Sequence, residues 1–430
     1  MLVSAVVSHT DWAYNFGNWG EVGVKTIIDK CCVAGIQRVY WRAFSGGLAN
    51  YLSKYEDVYH GTDADEAKGR LDLSGLLRAK PGHWGMPQER GFVMDYREWD
   101  PLAVAVTYGH QRGIQVYAWY TLNEEDHGWV GMLSKFAREN PQWCWVDRGG
   151  RKRWTNMSFA YDEVRRHKLR VMTELASYGV DGILLDFIRR AGKFRLSGDR
   201  MVDLPPFTDE RGTFACGYEE PSVQEFSATY GVAPHDIPND DPRWVHHRAG
   251  YYTRFMREVS EWRRDGKLPT VQALVFPPYV LDEQGHAYAF GDGLQFSAVT
   301  PPPVRENNLY SLCLDLKSWV AEGLVDGITV MHSAEYTTEA WRCNPHAIVA
   351  EIREMESQVA RGCRLASGVY CYGTTTSHLR ECFVAAKQAR VEEVTLFETT
   401  PLQQAGSTLA GMWATVRELG HERWTPGGSE

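Results

Sequence analysis

Apolar and polar positions along this chain fall into a repeating unit: a stretch with helical spacing, a glycine, then a run rich in β-branched and aromatic residues. The unit is clearest at Ala34-Gly-Ile-Gln-Arg-Val-Tyr-Trp41, Arg112-Gly-Ile-Gln-Val-Tyr-Ala-Trp119, Gly179-Val-Asp-Gly-Ile-Leu-Leu-Asp186 and Gly323-Leu-Val-Asp-Gly-Ile-Thr-Val-Met-His332. A glycine supplies the left-handed residue that ends a helix, and a continuous apolar run after it reads as a strand buried on both faces. Before the third glycine, Tyr161 to Tyr178 reads as a helix, with Asp162 and Glu163 suited to its positive N-terminal end. Leu2 to Ser8, Thr270 to Phe276, Arg364 to Tyr370 and Val391 to Phe397 complete a set of eight strands. Helical stretches separate most of them, which predicts a (β/α)8 TIM barrel of the α/β class closed by a helix near Ser407 to Leu419. A doubly wound open sheet is the main rival fold, but no Gly-rich phosphate loop follows the first strand.

The spacing between strands is uneven in an informative way. Long segments (45–100, 121–160, 188–250 and 277–308) all follow strands, whereas the segments preceding strands are short. In a barrel this puts the elaborated βα loops on the C-terminal face, where barrel enzymes hold their chemistry. None of these segments is low in complexity or charge-blocked, so residues 1–420 read as one decorated domain and 421–430 as a tail.

Composition narrows the partners. A length of 430 residues with 43% hydrophobic content supports a large core, and a net charge of −9 without massed basic residues argues against nucleic acid. Nine cysteines with no Cys-x-x-Cys pair predict reduced thiols rather than a disulfide framework or a zinc site. The first residues lack a basic leader followed by an apolar stretch, and no run is long enough to cross a bilayer, so the expectation is a cytoplasmic chain with no membrane partner. Asn156-Met-Ser158 matches a glycosylation acceptor that such a chain leaves unused. Nothing in the pattern assigns an oligomeric state.

The chemistry lies where strands end. Asp186 interrupts an apolar strand near its C-terminal end, and burying a carboxylate is costly unless partners or chemistry justify it. Its two readings are a structural carboxylate paired with Arg42, Arg189 or Arg190, and a catalytic nucleophile or base facing the pocket. Asp181 and Asp326 each precede a glycine at a strand start and read as turn residues on the stability face. Around the same rim stand His9, Asp11, Trp41, Arg42, Trp119, Asn123, Glu124, Arg189, His332 and Tyr372, candidates for binding a substrate. With 16 Trp in the chain, flat rings near a pocket suit the apolar faces of sugars.

Cleavage of a glycosidic bond needs two carboxyl groups, one to protonate the leaving oxygen and one to attack or to activate water. Glu335, past the sixth strand and well round the barrel from Asp186, is the first candidate for the second group. Glu398, closing the eighth strand, follows, and Glu124 sits in an Asn-Glu-Glu-Asp cluster that also reads as solvated loop. Metal chemistry is disfavoured, since His9-Thr-Asp11 is only half of a His-x-His pair and the adjacent His246 and His247 read as packing or surface residues, so no metal ligand is assigned.

Taken together, Trp119-Tyr-Thr-Leu-Asn-Glu-Glu-Asp-His127, Asn140-Pro-Gln-Trp-Cys-Trp-Val-Asp147, Ser158-Phe-Ala-Tyr161 and Tyr178-Gly-Val-Asp-Gly-Ile-Leu-Leu-Asp-Phe-Ile-Arg189 resemble the glycosyl hydrolase-like 10 family. The resemblance is strongest between about residues 110 and 190. It implies a TIM-barrel glycoside hydrolase acting on a carbohydrate without a cofactor, with Asp186 matching the family's fourth-strand Asp and Arg189 the Arg three positions later. Relatives often place Tyr-Pro after that Arg, where this chain has Arg190-Ala191, so local substrate contacts differ. The sequence leaves two other classes open: a sugar lyase, isomerase or metal-dependent hydrolase, and a catalytically silent carbohydrate-binding barrel.

Overall fold

The structure is a computed structural model. It describes residues 1–8, 11–12, 20–45, 47–58, 99–125, 133–190, 214–276, 314–332, 341–358, 363–371, 374–397 and 410–421, Asp209 and Thr399, and the backbone of a few short strands between them. Eight strands, β1 (Leu2–Val7), β2 (Arg38–Arg42), β3 (Gln115–Asn123), β4 (Gly182–Arg190), β5 (Thr270–Val275), β6 (Gly327–Met331), β7 (Arg364–Tyr370) and β8 (Glu393–Phe397), close into a barrel in chain order. Every neighbouring pair is parallel, including β1 with β8, so the barrel sheet itself has no edge strand. The predicted TIM barrel is the fold observed.

Helices fill the outer layer: α1 (Glu21–Val33), α2 (Pro101–Gln111), α3 (Asp162–Ala176), α4 (Pro242–Arg264), α5 (Leu316–Ala321), α6 (Pro345–Gln358), α7 (Thr376–Gln388) and α8 (Ala410–His421). The local signals that start and stop them are visible. Asp100 caps α2 by accepting from the amides of Leu102 and Ala103, with Pro101 in the first helical position. The four expected glycine stops, Gly35, Gly113, Gly179 and Gly323, all have φ between 66° and 77°. Arg390 makes the equivalent turn before β8 with φ 60°, the one non-glycine residue in that region among those described.

Asp181 and Asp326 do the work expected of strand-start turns. Asp181 Oδ2 accepts from the Val116 amide at 2.7 Å, and Asp326 Oδ2 accepts from the Val271 amide at 2.8 Å, each tying the start of one strand to its neighbour. His247 is a packing residue, stacked on Trp244 and edge-on to Phe226 and Tyr251. Eight of the nine cysteines lie among the described residues, and none of the eight is in a disulfide.

Register fixes which side chains enter the barrel. Tyr40 on β2 reaches Gln272 on β5 and Glu393 on β8, contacts that only side chains pointing to the axis can make. Alternation then assigns Arg38, Tyr40 and Arg42, Tyr117 and Trp119, Leu184 and Asp186, and Thr395 and Phe397 to the inside. The lower half of this interior is polar. Arg38 Nη1 donates to Glu393 Oε2 at 2.6 Å, its Nε and Nη2 share Gln115 Oε1 at 3.1 and 2.9 Å, and its guanidinium lies 4.3 Å from the Tyr117 ring centre. Gly182 makes room for that ring, because a Cβ there would sit 2.2 Å from Tyr117 Cε2.

Candidate active site

The upper half of the same interior, at the C-terminal ends of the strands, holds a second polar group of side chains. Asp186 is fully buried and points inward from β4. Its Oδ2 accepts from Trp119 Nε1 at 2.9 Å, and its Oδ1 accepts from the backbone amide of Ile188 at 2.8 Å. The second bond has a local cause. Between the pairs Asp186↔Thr121 and Arg190↔Asn123 the strand β4 advances four positions while β3 advances two, a bulge that takes amides out of the ladder. Asp186 satisfies one of those amides, and the bulge in turn sets the direction of the carboxylate.

Trp119 joins Asp186 to a charged pair. Its indole face carries the Arg42 guanidinium, 4.8 Å from the ring centre, and its edge meets Phe397 at 5.5 Å between ring centres. Arg42 Nη2 donates to Glu124 Oε2 at 2.9 Å, and both side chains are almost wholly buried. Carboxylate, indole, guanidinium and carboxylate therefore form one connected chain across β4, β3 and β2. Glu124 and Glu125 are not the solvated loop that their cluster suggested. Glu125 is buried against Lys168 and accepts from Ser134 Oγ at 2.6 Å, so both acids serve buried contacts.

Asn123 closes β3 beside this chain. Asn156 Nδ2 donates to its backbone carbonyl at 2.7 Å, and Tyr252, on α4, donates its hydroxyl to Asn123 Oδ1 at 3.2 Å. The amide nitrogen Nδ2 is buried and has no hydrogen-bond partner. Asn156 and Tyr252 are neighbours of the candidate site that the sequence did not single out. Asn156 was noticed only as a glycosylation match, and its side chain is completely buried.

Other expected rim residues lie elsewhere. Trp41 precedes Arg42 in β2, and alternation sends it outward, where it stacks on Trp12 with ring centres 6.2 Å apart. His332 follows β6 on its outward parity, and its ring joins Glu351 of α6 at 2.6 Å to Ser367 of β7 at 2.8 Å. Both were expected to line the pocket, and both instead fill the layer between barrel wall and helices. Asp11 accepts from the Ser8 amide and so braces the turn after β1. Trp119 does reach the interior, but its face and its N–H are given to Arg42 and Asp186 rather than held open as a platform. His9, Glu398 and Tyr372 lie outside the described residues, as do the side chains of Arg189 and Glu335; the Glu335 backbone belongs to a short strand, Ala334–Tyr336, paired with Trp341–Cys343.

No helix among the described residues is long and apolar enough to cross a membrane. No group of three or more His, Cys, Asp or Glu among them is arranged to hold a metal ion. No family model matches the chain, and no match was found among the sequences of curated proteins. Among solved structures it is similar to the PgaB (BpsB) glycoside hydrolase domain from Bordetella bronchiseptica, with a TM-score of 0.55 and 12% identity over 99% of this chain and 100% of that one. A chitinase from Bacteroides thetaiotaomicron superposes with a TM-score of 0.45 and 9% identity, covering 100% of this chain and 99% of its own. At these identities the likeness is one of fold, a TIM barrel shared with glycoside hydrolases.

Proposed function

We propose that this chain is a glycoside hydrolase whose nucleophile or base is Asp186. The observation that carries the reading is a carboxylate buried on the inward face of β4, aimed by a strand bulge and held by the Trp119 indole at the face where barrel enzymes work. The resemblance of residues 110 to 190 to the glycosyl hydrolase-like 10 family and the fold shared with a glycoside hydrolase domain support it. Glu335 is the proposed acid/base, with Glu398 as the alternative. Glu124 is a weaker choice, because its carboxylate already serves as counter-charge to Arg42.

In this mechanism the acid protonates the departing oxygen while Asp186 attacks the anomeric carbon or activates water. A separation of about 5–5.5 Å between the two carboxyl groups gives retention, and about 6.5–9.5 Å gives inversion. The test is Asp186→Asn on a glycan panel. Turnover falls by about 10³-fold or more, while stability drops by only about 1–3 kcal/mol, since one of the two N–H donors loses its acceptor. An Asp186→Asn protein with unreduced turnover sinks the assignment. Glu335→Gln and Glu398→Gln, assayed separately, identify the acid as the variant that loses most with poor leaving groups.

One observation favours a second reading, a carbohydrate-binding barrel without catalysis. Both oxygens of Asp186 are already occupied within the chain, as they would be in a purely structural role. Sugar binding without turnover across the same panel would select it.

A further inference from the structure

Two buried thiols meet in the layer between barrel wall and helices. Cys343 ends the short strand Trp341–Cys343 that follows β6, and Cys382 lies on α7. Both are fully buried, and their thiols are hydrogen-bonded to each other. His378 stands four residues before Cys382, one turn away on the same face of α7. Its Nε2 is 2.7 Å from the backbone carbonyl of Cys343, and a carbonyl only accepts, so Nε2 carries the ring proton. Nδ1 of the neutral ring is then an acceptor, and the ring's other hydrogen bond goes to the Cys382 thiol. A backbone carbonyl thus fixes the tautomer that lets an imidazole take a proton from one thiol while a second thiol lies against it.

This setting separates the pair from other cysteines of the chain. The hydrogen bond from Cys343, opposed by burial and assisted by His378, holds the Cys382 thiol below its usual range, and the same bond together with burial holds the Cys343 thiol well above it. Elsewhere burial dominates, pushing Cys144 and Cys363 up to about 11 and Cys216 up to about 12. The thiolate is the form of cysteine that attacks peroxides, and a neighbouring sulfur converts the first oxidation product into a disulfide.

We propose that Cys382 and Cys343 form an oxidation site for hydrogen peroxide, with Cys382 as the attacking sulfur and Cys343 as the resolving one, independently of any activity at the mouth of the barrel. The Cys382 thiolate, its proton held on His378, attacks one peroxide oxygen and breaks the O–O bond. That oxygen stays on sulfur as a sulfenic acid, and the other leaves as hydroxide and takes the His378 proton to become water. Cys343 then gives up its proton and attacks the Cys382 sulfur, expelling the hydroxyl as a second water. Two thiols lose two electrons and two protons, and the peroxide is reduced to two waters. A small uncharged oxidant suits a pair that local opening alone brings to solvent. The disulfide ties the strand Trp341–Cys343, and through its pairing Ala334–Tyr336, to α7.

The experiment treats the folded full chain with hydrogen peroxide, blocks remaining thiols in denaturant and maps the unreduced peptides by mass spectrometry. A Cys343–Cys382 cross-link forms, the intact mass falls by about 2 Da, and dithiothreitol reverses both changes. Cys32 and Cys363, which are partly exposed, oxidise at least about fivefold more slowly. Cys343→Ser stops the reaction at a Cys382 sulfenic acid that dimedone traps. His378→Gln, which keeps a donor for the Cys343 carbonyl and removes the imidazole, slows disulfide formation about tenfold. The wild-type peptide map decides the matter even if either variant does not fold. Oxidation of Cys32 and Cys363 first with no Cys343–Cys382 cross-link, a cross-link from Cys382 to Cys371 instead, or a folded His378→Gln reacting at the wild-type rate overturns the proposal.

Discussion

The two halves of the barrel interior bury similar chemistry and finish it differently. In the lower half, Arg38, Tyr40, Gln115, Gln272 and Glu393 come from four strands and meet in one network, with the guanidinium bonded through all three of its nitrogens. In the upper half, Asp186, Trp119, Arg42 and Glu124 are also linked, yet the amide of Asn123 beside them is left without an acceptor. A network closed on itself stabilises and specifies the fold, whereas an unmet buried donor costs free energy. Position agrees, since the lower half lies at the N-terminal ends of the strands and the upper half at the C-terminal ends.

The strongest way to break this contrast is to remove one charge from each half. Arg38→Ala strands Glu393 without its cation and destabilises the protein by about 3–5 kcal/mol, measured by denaturant unfolding, while turnover per folded molecule stays close to wild type. Replacing both partners, with Arg38→Met and Glu393→Leu, recovers most of that loss, because no lone charge remains. Asp186→Asn shows the opposite profile, with turnover lost and stability largely kept. If Arg38→Ala abolished turnover in protein that remained folded, the lower network would belong to the catalytic apparatus and the division would fail.

How far this division could be read from sequence depends on which property carried it. The barrel was legible because helix, glycine and apolar strand are local signals, repeated at Gly35, Gly113, Gly179 and Gly323. Asp186 was legible because a charge inside an apolar strand violates the pattern around it. Trp41 and His332 were misplaced for a reason that alternation supplies. Trp41 and Arg42 are adjacent in β2 and so cannot both face the axis, and His332 is one residue out of phase with inward Met331. The lower network was invisible in a different sense. Arg38 and Glu393 are 355 positions apart, and no local pattern reports that closing the barrel brings them to 2.6 Å.

A third buried acid sharpens the comparison by showing what a carboxyl does without a close cation. Glu219 accepts from the Val146 amide at 2.8 Å, and burial pushes its carboxyl up from 4.5 to about 7, with Arg248 among the weaker opposing influences. A raised folded value means stability that is fully present below pH 4.5 and is lost as pH climbs through about 7. The loss amounts to at most about 3 kcal/mol. Glu219→Gln keeps an acceptor for Val146 and removes this component. The variant is therefore more stable than wild type at pH 8 and close to it at pH 4, as equilibrium unfolding at the two pH values would reveal. His167 and Glu56, bonded at 2.6 Å, do not mask the effect. Burial lowers His167 to about 3 and raises Glu56 to about 7, so between pH 4.5 and 6.5 the folded pair holds one proton on Glu56 where the unfolded pair holds one on His167. Their contributions to the slope nearly cancel there.

The smallest expected effect falls on the turn that feeds both halves. Strand β8 supplies Glu393 to the lower network and Phe397 to the upper group, and it is entered through Arg390 at φ 60°. A side chain in the left-handed region costs about 1–2 kcal/mol that glycine avoids, against which glycine loses more freedom on folding. Arg390→Gly therefore gains no more than about 1 kcal/mol, read as a small rise in the unfolding midpoint, with turnover unchanged. A substantial fall in stability instead would mean that the Arg390 side chain, and not its backbone, holds β8 in register. The turn would then count among the residues that fix the alignment of Glu393 with Arg38 and of Phe397 with Trp119, and the four glycine stops would no longer be a fair guide to the fifth.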